Sequence, residues 1–92
     1  MVITIEKINC FDLEVEKTAP TPMSIIINSI TLSRDGGEQA IRCYETAKKI
    51  TDKKDLTDEE LKFVITKVER NVVGYPDFAI GQILKYLKSG SL

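Results

Sequence analysis

Residues 34 to 39, RDGGEQ, set two adjacent glycines between a β-branched run and a helix-like stretch, the usual setting of a phosphate-cradling loop. Such a loop aims several backbone N–H groups into one concavity, normally as G-x-G-x-x-G or G-x-x-x-x-G-K-[ST]. Gly36-Gly37 has neither spacing, and no Lys-Ser or Lys-Thr follows it. Asp35 and Glu38 also put negative charge where a phosphate would sit. The pair therefore reads as a helix cap, a position that needs left-handed backbone.

The acidic run TDKKDLTDEE holds Asp52, Asp55, Asp58, Glu59 and Glu60 but lacks the glycine and the acid spacing of a calcium loop. The chain has no histidine and no C-x-x-C, which removes the common metal-ligand sets and the His-activated nucleophiles. Cys10 and Cys43 are far apart and read as reduced, semi-buried thiols. The reading is thus non-enzymatic, with no catalytic residues, no metal and no cofactor.

Two groups of residues remain that can bind a partner. Phe63, Tyr75, Phe78 and Tyr86 fall beside the apolar stripes of their segments. Such aromatics either close a second part of the core or anchor a protein partner. Lys48, Lys49, Lys53 and Lys54 form a basic cluster, with Tyr44 or Tyr75 at hand to stack on a base. That cluster suits either a helix C-terminus or a phosphorylated ligand.

Composition sets the frame for these choices. The chain has 92 residues, 42% apolar and 29% charged, the mixture of one globular domain. Thirteen basic against 14 acidic residues leave a net charge of −1, which speaks against non-specific duplex binding. No apolar run is long enough to span a membrane, and the N-terminus lacks the form of a secretion signal. These features place the protein in the cytoplasm.

The elements that must position the candidates follow from periodicity and punctuation. Residues 1–17 alternate in two stretches, Val2 to Glu6 and Phe11 to Glu16, with a phase break at Lys7-Ile8-Asn9; they read as a β-hairpin. Residues 22–34 are contested between strand and helix. Their isoleucines favour a strand. Thr21 as N-cap, Pro22 at the first turn and the spacing of Met23, Ile26, Ile27 and Ile30 favour a helix, with Gly36 or Gly37 closing it. Helices are expected at 38–50, opened by Asp35 or a glycine, at 58–72 and at 76–88. The first buries Ala40, Cys43, Tyr44, Ala47 and Ile50; the second starts on a Thr57–Glu60 capping box and buries Leu61, Val64, Ile65, Val68 and Val72. The last carries Ile80, Ile83, Leu84 and Leu87, and its Gly81 suggests close approach of another backbone. The expected fold is α+β and mainly α, a single domain over 1–92 in which the hairpin packs on a bundle of three to four helices.

SIIINSITLSRDGGEQAIRCYETAKKI, DLTDEELKFVITKVE and YPDFAIGQILKYL, in that order, resemble a family of small uncharacterised bacteriophage proteins over roughly residues 22 to 88. The resemblance implies a phage or prophage origin, hence the cytoplasm of a host cell, and a helical body. It carries no activity. The leading expectation is an accessory protein that inhibits or adapts a host protein by contact through Phe63, Tyr75, Phe78 and Tyr86, with self-association included among its partners. The alternative is a sequestering protein for a phosphorylated small ligand, a nucleotide signal or nucleic acid, using Tyr44, Lys48, Lys49, Lys53 and Lys54.

Overall fold

The segment after Thr21 is helical. Thr21 accepts the Ser24 N–H at 3.2 Å, Pro22 opens the first turn, and α1 runs Pro22–Thr31. β-branching costs a helix only tenths of a kcal/mol per residue, roughly. Burying an isoleucine side chain contributes about 1.5–3 kcal/mol. Ile25, Ile26 and Ile30 are all fully buried, so packing outweighs propensity. The computed structural model describes residues 1–5 and 21–89.

Three further helices follow: α2 Gly37–Thr51, α3 Asp58–Arg70 and α4 Asp77–Ser89. The helix α1 lies at the centre and packs against the other three, and α3 also packs on α4. Cap chemistry sets the boundaries. The Leu32 N–H bonds to Asn28 O at 3.0 Å and Ser33 Oγ donates to Ile30 O at 2.8 Å, closing α1 before the glycines are reached. Gly36 (φ 72°) is therefore the N-cap of α2, the opening role that the sequence also allowed a glycine, and not the end of α1. Thr57 and Glu60 make the reciprocal capping box of α3, and Asn71 ends that helix in left-handed backbone (φ 45°).

The α+β expectation is corrected: among the described residues the molecule is all-helical, four helices packed together with no strand. Residues 1–5 alternate as read, with Ile3 and Ile5 buried and Val2 and Thr4 exposed, yet they pair with no strand. Their backbone bonds go to other groups. The Leu56 N–H donates to Met1 O at 2.8 Å, and the Thr4 N–H donates to the Tyr86 hydroxyl at 2.8 Å. Alternation reports burial on one side, and a helical surface satisfies it as well as a sheet does. The rest of the hairpin reading, residues 6–17 with Cys10, lies outside the described residues.

Burial also departs from the expected stripes, for a geometric reason. In α3 the buried set is Phe63, Val64, Lys67 and Val68, while Val72 lies past the helix and is exposed. The buried face is rotated toward Phe63 and Lys67. In α2 only Thr46 and Ile50 are buried; Tyr44 and Ala40 face solvent. The expectation for Gly81 is likewise corrected: it is exposed, and a Cβ built there meets nothing within 4 Å. No helix among the described residues is long and apolar enough to cross a membrane.

Candidate anion-binding groove

Because α2 is buried mainly at its C-terminal end, its first half stands off from α3 and leaves an open groove of about 600 Å³. That volume lies within the range of ~300–1,000 Å³ common for ligand pockets. On α3, Glu59, Lys62, Phe63, Thr66, Lys67 and Arg70 recur at helical spacing along one wall. From α2 come Gln39 and Arg42, and the connecting loop adds Asp35.

Phe63 forms the floor and is only 8% exposed. Two cations lie against its ring: Arg42 at 4.7 Å from the centroid and Lys67 at 5.3 Å. Both distances fall within the ~6 Å at which a ring face attracts a cation. The phenyl ring thus supports Arg42 at the groove without neutralising its charge.

The side chain of Lys67 is almost wholly removed from water, at 4% exposure. A buried ammonium is costly unless paired. Asp35 supplies the partner: its Oδ2 accepts from Lys67 Nζ and, at 2.8 Å, from Arg70 Nη1. Lys67 first and Arg70 second hold the Asp35 carboxyl below its ordinary value of 3.8. One carboxylate therefore answers two cations. Arg42 and Lys62 have no carboxylate partner among the described residues. With Glu59 included, four cations face two acids and the groove keeps a positive surplus.

A second, smaller hollow of about 280 Å³ adjoins the groove and shares Asp35 and Gln39 with it. Tyr44, 68% exposed, forms part of its wall.

The residues singled out from sequence are dispersed. Phe63 is the groove floor, whereas Tyr86 is buried beneath Thr4, 7% exposed. Tyr75 is half-buried, its hydroxyl accepting from Asn28 Nδ2 at 2.9 Å. Phe78 alone of the four is exposed, so they do not make one surface patch. Among the lysines, Lys49 pairs with Glu60 at 2.9 Å, and Thr57 N–H also donates to that carboxylate. Both hold the Glu60 carboxyl below its ordinary value, Lys49 chiefly. Lys48, Lys53 and Lys54 are exposed and line neither cavity. Tyr44 lines the smaller hollow, one helical turn before Lys48 on α2.

Arg42, Lys62, Lys67 and Arg70 were not distinguished by the sequence reading. Their signal is the spacing of Lys62, Lys67 and Arg70 on the helix face marked by Phe63, the aromatic that sits off the expected stripe. Arg42 gave no such signal, because only the packing of α2 brings it over that ring. No family model matches the chain, and no characterised protein or solved structure matches it.

Proposed function

We propose that the protein is a non-enzymatic binding protein, an accessory factor of the phage type that its motifs resemble, and that it grips an acidic segment of a partner protein in the α2–α3 groove. The observation that carries this reading is the pair of outward cations, Arg42 and Lys62, beside the half-answered Lys67–Arg70 pair. A carboxylate is the favoured anion for two reasons. The anion seated on Lys67 and Arg70 is already a carboxylate, that of Asp35. Phosphate sites usually add convergent backbone N–H groups at a helix N-terminus, and the start of α2 instead carries Asp35 and Glu38. An open groove lined by side chains of two helices suits an extended peptide more than a compact ligand.

The test is a titration with an end-blocked peptide of consecutive glutamates, run at rising salt on the wild type, Arg42→Glu and Lys53→Glu. Binding that weakens with salt, is lost in Arg42→Glu and survives in Lys53→Glu supports the groove. Loss in Lys53→Glu alone would move the site to the lysine cluster at the end of α2. If pyrophosphate displaces the peptide at far lower concentration than acetate, the phosphorylated-ligand reading replaces this one.

A further inference from the structure

The smaller hollow differs in chemistry from the groove it adjoins. Ala40, Cys43 and the Tyr44 ring supply most of one side of it, from α2. Thr31 and Ser33 also line it, with their hydroxyls already engaged: Thr31 Oγ1 donates to Ile27 O at 2.9 Å, and Ser33 Oγ donates to Ile30 O at 2.8 Å and lies 3.3 Å from the Cys43 thiol. Its one charged wall residue, Asp35, is turned to Lys67 and Arg70. An entering group finds methyl, sulfur and ring surface and few free donors, which favours an apolar occupant. Because Asp35 and Gln39 line both cavities, that occupant lies next to the anion in the groove.

We infer that the two cavities form one bipartite site that reads an acidic residue together with a neighbouring apolar side chain of leucine size. The inference rests on the groove reading, which supplies the charged half. It adds a specificity determinant: acidity steers a segment into place, and the hollow selects among acidic segments by what flanks the acid. Asp35 serves as the wall between the halves and keeps the apolar side free of unpaired charge.

The probes are three end-blocked peptides: glutamates alone, the same run with leucine added before it, and the same run with leucine added after it. Calorimetric titration of the wild type is expected to give on the order of tenfold tighter binding for one of the leucine peptides. Ala40 is exposed, so Ala40→Phe can fill the hollow without disturbing the core. That variant is expected to remove the leucine gain and leave binding of the glutamate peptide unchanged. Arg42→Glu is expected to weaken all three. If the glutamate peptide binds but neither leucine peptide binds tighter, the bipartite site is wrong while the groove stands. A leucine gain that persists in Ala40→Phe places the apolar contact elsewhere and also overturns it. If no peptide binds, the groove reading fails and the inference falls with it.

Discussion

The Lys67 ammonium and the Asp35 carboxylate, 32 residues apart, form an ion pair that ties the loop before α2 to the last turns of α3. The lysine is 4% exposed and the aspartate 28% exposed, so the pair is sealed on one side and open on the other. Removing the carboxylate strands a buried charge, a more serious loss than that of a surface ion pair.

Stability should therefore depend on Asp35 in acid. Its folded-state value is depressed below 3.8, so its contribution is complete above that pH and is lost as pH falls through the folded value. Asp35→Asn is expected to unfold at lower urea than wild type at neutral pH, with the gap narrowing below pH 3.8. A gap that stays constant into acid would show that the pair contributes nothing through charge.

The Tyr86 hydroxyl accepts the Thr4 N–H at 2.8 Å and joins the first residues to α4. Tyr86→Phe keeps the ring and deletes this bond, at an expected cost of about 1 kcal/mol. Faster amide exchange at Thr4 should accompany the loss. Unchanged exchange there would mean that burial of Ile3 and Ile5 alone holds the segment.

At Gly81 the expected sign is opposite. Open space around its Cβ position leaves helix propensity as the main effect, so Gly81→Ala should stabilise by about 1 kcal/mol. A fall in the melting temperature would reveal a close partner there after all.

The start of α3 offers a fourth measurement. Thr57 Oγ1 accepts the Glu60 N–H at 3.2 Å, and Thr57→Ala should cost about 1 kcal/mol. Thr57→Ser should recover most of it, since the capping oxygen returns. Equal loss in both variants would assign the effect to the methyl group instead.

How much of this was legible in the sequence differs by element. Thr21-Pro22 and the Thr57–Glu60 box act through bonds within a few residues, so local chemistry alone marked where α1 and α3 begin; the stop at Asn71, inside the expected 58–72, went unmarked. Caps depend on near neighbours, and the letters contain them. Burial does not. Val2 to Ile5 alternate, but whether a sheet or a helical surface receives Ile3 and Ile5 is decided by what lies opposite, here Leu56 and Tyr86. Gly36 and Gly37 marked a boundary, yet the early closure of α1 at Leu32 and Ser33 made them the start of the next helix. The groove was the least visible feature. Asp35, Arg42, Phe63 and Lys67 come from three segments, and their separations along the chain carry no sign of contact. Only the docking of α2 and α3 on the central α1 brings one carboxylate onto a buried ammonium and one guanidinium over a ring. Long-range charge pairing is a property of packed surfaces, which the sequence specifies only through the whole fold.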